Sequence, residues 1–124
     1  TEIYTLSLHD ALPIWNYDFV LFEYFMTDRI GHKKNREKLS GVLHNLGTFI
    51  AKLSEILPEN TAMLLCSDHG NCEDITTGAH TMNPVPMLLY PDTGIDKSRV
   101  SSIKDVMDFI LLHFPDKRIE KNGI

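Results

Sequence analysis

The sequence predicts an α/β fold, a mainly parallel sheet with flanking helices. Three observations carry that expectation. Residues 17–26 (YDFVLFEYFM) form a nearly continuous apolar and aromatic run, the pattern of a strand buried on both faces. Residues 36–57 repeat apolar side chains at steps of three and four, the period of an amphipathic helix. Residues 62–66 (AMLLC) give a second short buried strand, so strand, long helix and strand should form a right-handed crossover unit.

The elements follow in order. The long helix presents Leu39, Val42, Leu43, Leu46, Phe49, Ile50, Leu53, Ile56 and Leu57 on one broad face, with Asn35 as its cap and Pro58 as its stop. Glu59-Asn60 makes the turn into the second strand. A polar, Gly-containing loop spans 67–83, and 85–90 is a third strand. Pro86 lacks a ladder donor, so that strand lies at an edge or starts at Met87. Ser102, with Asp105 three residues on, opens a last helix. Its apolar face is Ile103, Val106, Met107, Ile110, Leu111 and Phe114, and Pro115 ends it.

Composition narrows the function classes. With 124 residues, 43% of them hydrophobic and 23% charged, the chain has the make-up of a folded domain. No apolar run reaches membrane-spanning length, and no charged start followed by an apolar core marks a signal peptide. A net charge of −5 has the wrong sign for a nucleic-acid or anionic-membrane partner. Two cysteines, Cys66 and Cys72, are too few for a disulfide framework and fit a reducing, cytoplasmic setting.

Residues 1–14 (TEIYTLSLHDALPI) stand apart, with mixed periodicity and no Lys or Arg. The string resembles translated sequencing-adapter read-through. That resemblance implies a non-native segment, a native part confined to 15–124, a gene truncated upstream, and no role for His9 or Asp10.

The chemistry-bearing residues gather where strands are expected to end. Asp28 and His32 follow the first strand, Asp68 and His69 follow the second, and His80 lies eleven residues beyond His69 on the same loop. In open α/β sheets ligands collect at such ends, and Asp with His suits Zn²⁺ or Mn²⁺. Gly31 and Gly70 flank these candidates where the backbone must turn or approach closely. Singly, each signal is weak. An Asp-x-x-x-His pair is more often a loop salt bridge, and His80 alone could be a surface imidazole. His44 and His113 sit in or beside helices and are left out of the site. Glu73-Asp74 reads as loop solvation, Cys66 as strand core and Cys72 as an unpaired thiol; Cys-x5-Cys is poor spacing for a zinc knuckle.

Together, Asp28-x-x-x-His32, Ser67-Asp68-His69-Gly70-Asn71 and His80-Thr81-x-Asn83-Pro84-Val85-Pro86 resemble the C-terminal metal-binding half of the alkaline phosphatase superfamily. The nearest branch holds cofactor-independent phosphoglycerate mutase and phosphopentomutase, and the likeness covers about residues 17–114. It implies an incomplete alkaline-phosphatase-like core and two divalent ions, manganese or zinc, that handle a phosphoryl group. It implies that Asp28, His32 and His80 bind one ion, and Asp68 and His69 the second.

The departures are as informative. The family completes the second ion with an upstream Asp and a Ser or Thr nucleophile, neither of which has a counterpart here; Ser67 and Thr27 are not in the nucleophile's context. The interval from His69 to His80 is short for the phosphoglycerate mutase and closer to the phosphopentomutase pattern. The expectation is therefore a C-terminal fragment of a phosphomutase or phosphatase. It should bind metal, lack a catalytic nucleophile and be inactive alone, while its parent acts on a small phosphorylated substrate. The rival readings are a non-catalytic metal-binding or interaction domain, and a sulfatase or phosphonate hydrolase of the same superfamily.

Overall fold

The computed structural model describes residue 14 and residues 16–114. The adapter-like segment therefore lies almost wholly outside the described residues, as does the helix stop expected at Pro115. Three α-helices and two strands are described: α1 (Met26–His32), α2 (Arg36–Ile56), β1 (Met63–Cys66), β2 (Met87–Tyr90) and α3 (Val106–His113). Helices and a sheet in one chain give the α/β class that the sequence predicts.

The long helix forms where its periodicity puts it. Asn35 caps α2 by accepting the backbone N–H of Lys38 at 3.0 Å, which satisfies one of the orphan donors of the first turn. Val42 and Phe49, seven residues apart, are its buried positions. Leu43, expected on the same face, is exposed instead. Val42 packs with Ile30 and Ile75, and Tyr24, Met26 and Leu39 close around that cluster. Phe22 meets Phe49 with ring centroids 5.4 Å apart.

Two expectations about the sheet do not hold. Residues 17–25 form no strand, and Tyr17, Phe19, Leu21 and Phe25 are exposed; at Met26 the chain enters α1. An apolar run becomes a strand only where a neighbour takes up its backbone groups, and no described strand lies along this one. The described sheet is not parallel either: β1 and β2 pair antiparallel, with Met63 opposite Tyr90 and Cys66 opposite Met87. Residues 67–86 leave β1 and return at the same end, and an isolated antiparallel bridge between Gly70 and Thr81 adds a further rung inside that loop. A parallel partner would need a crossover to the far end of β1. The start at Met87, just past Pro86, is as the missing proline donor requires.

By its contacts the chain divides into residues 1–90 and residues 91–124. In the second unit the capping box is present as read: Ser102 and Asp105 satisfy each other's neighbouring backbone N–H groups. The first turn is a 3-10 turn over Ile103–Asp105, and α3 continues from it. Among the described residues no helix is long and apolar enough to cross a membrane.

Candidate metal centre

Asp28 and His32 lie four residues apart on α1, so both side chains leave one helix face. This corrects the expected strand-end loop: the pair is held by helix geometry. α1 ends at once, with Lys34 in the left-handed region (φ 52°) and its N–H on the Gly31 carbonyl at 2.9 Å. His69 and His80 come from the opposite arms of the 67–86 loop, each beside one member of the Gly70–Thr81 bridge.

These four side chains converge on one atom. Asp28 Oδ1 lies 3.3 Å from His32 Nε2, 3.4 Å from His80 Nε2 and 3.9 Å from His69 Nε2. It is buried and has no hydrogen-bond partner. His32 Nε2 and His80 Nε2 are 3.1 Å apart. Asp28, His32 and His80 thus offer a nearly equilateral triangle of ligand atoms. In a tetrahedral site with bonds of about 2.0–2.1 Å, two ligand atoms lie about 3.3 Å apart, so the three atoms are spaced as one face of such a site. A looser triad, Asp28, His69 and His80, places its ligand atoms within 4.8 Å of one another.

Two of the imidazoles are oriented by backbone carbonyls at Nδ1. His32 Nδ1–H donates to the Gly78 carbonyl at 2.9 Å, and His69 Nδ1–H faces the Gly70 carbonyl at 3.3 Å. A carbonyl can only accept, so each contact is a hydrogen bond when Nδ1 carries a proton, and in the neutral ring that arrangement leaves Nε2 free for a cation. His69 and His80 stack with centroids 3.6 Å apart. Asp68 is the outlying member: its carboxylate is largely exposed and reaches His69 Nε2 at 3.5 Å. All five residues singled out in the sequence therefore belong to one cluster, and the donor set of imidazoles and carboxylates fits a divalent ion.

Gly31 and Gly70 stand where the sequence asks for close backbone approach, whereas Gly78 and the roles of Asn71 and Glu73 were not legible in it. Gly78, with φ 64°, turns the loop so that its carbonyl meets His32. Asn71 is buried and donates from Nδ2 to the Ala79 carbonyl at 3.4 Å. Its amide sits against the bare α-carbon of Gly31, where an added Cβ would come within 2.6 Å of Asn71 Cγ. Glu73, read as solvated, is exposed, and it also accepts from the Thr81 hydroxyl and from Asn83 Nδ2 at 3.0 Å on one oxygen, and from the Asn71 N–H on the other. The Thr81 hydrogen bond is the main cause holding its carboxyl far below the ordinary range, at about 2. The signal available was Gly70 between two ligand candidates, with Thr81 and Asn83 as short polar donors opposite.

Among the described residues neither thiol groups with the ligand candidates. Partial burial, with Asp68 beside Cys66 and Glu73 beside Cys72, pushes both up, away from the thiolate form that binds metal. A shallow groove between α2 and the 3-10 turn Cys72–Asp74, lined by Arg36, Leu39, Leu43 and Ile75 among others, contains none of the five candidates.

Comparison with known proteins agrees with this chemistry. The family model described as the metalloenzyme superfamily matches residues 4–116. A 2,3-bisphosphoglycerate-independent phosphoglycerate mutase of Myxococcus xanthus is 32% identical over 111 residues, covering 82% of this chain and 22% of the relative. The same-named protein of Agrobacterium fabrum is 36% identical over 85 residues (60% and 16%), and that of Thiobacillus denitrificans 29% over 115 residues (86% and 22%). The chain spans about a fifth of the length of these relatives. No solved structure matches it significantly. With a family match across nearly its whole length, the chain belongs to the metalloenzyme superfamily.

Proposed function

We propose that this chain is the C-terminal metal-binding part of a binuclear, metal-dependent phosphoryl-transfer enzyme of the phosphomutase type. The observation that carries the reading is the triangle of Asp28 Oδ1, His32 Nε2 and His80 Nε2 around a buried carboxylate oxygen that lacks a hydrogen-bond donor. In this reading those three residues hold one ion, and Asp68 with His69 holds the second, which is manganese or zinc like the first. A bound pair of divalent ions supplies positive charge that stabilises the attacking and leaving oxygens of a transferring phosphoryl group. The chain's own residues do the holding. The Gly78 and Gly70 carbonyls orient the rings of His32 and His69 through Nδ1, and α1 keeps Asp28 and His32 in step. The relatives' name points to a phosphoglycerate as the substrate of the parent. Two free cysteines suit a reducing, cytoplasmic setting.

Asp68 and His69 are too few protein ligands to hold an ion firmly, and the chain has no Ser or Thr in the family's nucleophile context. The full chain alone should therefore bind Zn²⁺ or Mn²⁺ yet turn over a chromogenic phosphate monoester no faster than the free metal does. In calorimetric titration, Asp28→Ala should cut affinity at least a hundredfold, while His44→Ala, on the exposed surface of α2, should leave it unchanged. Equal binding by wild type and Asp28→Ala would sink the metal reading. Robust turnover that vanishes in Asp68→Ala would show a complete active site and sink the fragment reading.

A further inference from the structure

We propose that Glu73 is a positioning residue for this centre, a buckle that ties the His69 arm of the loop to the His80 arm and so sets the spacing of the two imidazoles. The inference rests on the metal reading above and deepens it. Glu73 does not group with the histidines as a ligand candidate. Its oxygens are taken up by three donors that stand on both arms. Asn71, whose N–H it accepts, is two residues past His69; Thr81, whose hydroxyl it accepts, directly follows His80; Asn83 adds its amide at 3.0 Å. Glu73 is exposed, so water could serve these donors. Here one side chain satisfies all of them.

The backbone is built to admit the buckle. Gly70 lies between the arms, its carbonyl accepting the Thr81 N–H at 2.9 Å. An added Cβ on Gly70 would come within 2.6 Å of Glu73 Oε1 and would also overlap the Thr81 hydroxyl. The residue between His69 and Asn71 must therefore be small for the carboxylate to sit where it does. Without Glu73 the described hydrogen bonds across the arms are the Gly70–Thr81 rung and the 3.4 Å bond from Asn71 Nδ2 to the Ala79 carbonyl, beside the His69–His80 stack. The imidazoles would then have to be ordered by the ion itself, at a cost to its affinity.

The test loads the full chain with Co²⁺, whose visible bands report ligand geometry, and follows affinity, band position and the melting midpoint of the metal-free protein. Wild type should bind. Glu73→Ala should bind about ten- to hundredfold more weakly and with a shifted band. Glu73→Gln keeps an acceptor for Thr81 and Asn83 but turns an NH₂ toward the Asn71 N–H, so it should fall between. Thr81→Val should move in the same direction by less. A variant series with lower melting midpoints but wild-type affinity and band, measured where every variant is folded, would overturn the inference alone and leave Glu73 a structural brace. No Co²⁺ band in wild type would overturn the metal reading, and this inference with it.

Discussion

The loop 67–83 and the run 17–25 are both irregular, and they solve opposite problems. The loop is polar, yet its groups answer one another over short sequence distances. Asn71 bonds Ala79, Thr76 bonds Asp74, and Thr81 with Asn83 bonds Glu73. The run is apolar, and Tyr17, Phe19, Leu21 and Phe25 lie exposed, in a protein whose described two-stranded sheet buries only Leu89. Hydrogen-bonding groups can be satisfied in pairs by near neighbours, whereas apolar surface is satisfied only by layers of other elements. A sheet of two strands is marginal by itself. The loop that carries His69 and His80 is thus the part of the chain that needs least from elsewhere, while Asp28 and His32 reach it from α1.

The strongest way to break that contrast is to attack the loop where it touches α1. Gly31→Ala would drive a methyl into the amide of Asn71 and to 3.2 Å from the Cys72 nitrogen. Asn71 is buried, so the strain cannot be shed into solvent. Denaturant unfolding should show a loss of about 1–3 kcal/mol, as overpacking of a filled site does, and Zn²⁺ affinity should fall with it. A loss no larger than that of an exposed α2 substitution such as Gly47→Ala, which meets nothing within 4 Å, would show that the α1–loop contact is slack.

What the sequence disclosed follows the same division. The Asn35 cap, the Ser102–Asp105 box, the period of α2 and the start of β2 after Pro86 are all local, and each was legible. The five ligand candidates were legible as residue types at suggestive spacings. Their placement was not, because Asp28 and His32 lie on a helix that continues an apolar run with no boundary signal before it. Sheet direction was hidden for a related reason: whether β1 meets β2 or another strand depends on contacts between distant residues. Glu73 is exposed, as a loop acid is expected to be, but its bonding was hidden. Its three donors become neighbours only when the loop closes.

A gentler probe is acid. Glu73 is held at about 2 against an ordinary 4.5, first by the Thr81 hydroxyl and also by Asn83 and the Asn71 N–H. A carboxyl lowered in the folded state stabilises that state above its unfolded value. The contribution is lost as pH falls from 4.5 towards 2. Asp92, Asp96 and Asp105 are lowered as well, mainly by backbone N–H groups, and all three belong to the second unit. Glu73→Gln should therefore flatten only part of the acid slope in urea midpoints measured across that window. Equal slopes for variant and wild type would mean the loop carboxylate is as free as the sequence suggested.

The smallest effect concerns residues 1–14. The adapter-like string argues that they are foreign, while the family match begins at residue 4 and lends residues 4–14 support as native. The two readings differ in what they ask of the apolar run that follows. A foreign segment has no evolved complementarity to Tyr17, Phe19 or Leu21, so removing it should shift stability by no more than about 0.5 kcal/mol, as surface changes do. A native segment would pack on that run, and its removal would cost far more while exposing further apolar area. We expect the first outcome: a chain starting at Trp15 should keep the wild-type melting midpoint and Zn²⁺ affinity. A drop of several degrees with unchanged metal affinity would return residues 4–14 to the fold. It would also sharpen the opening contrast, because the apolar run would depend on sequence far from the metal centre while the loop did not.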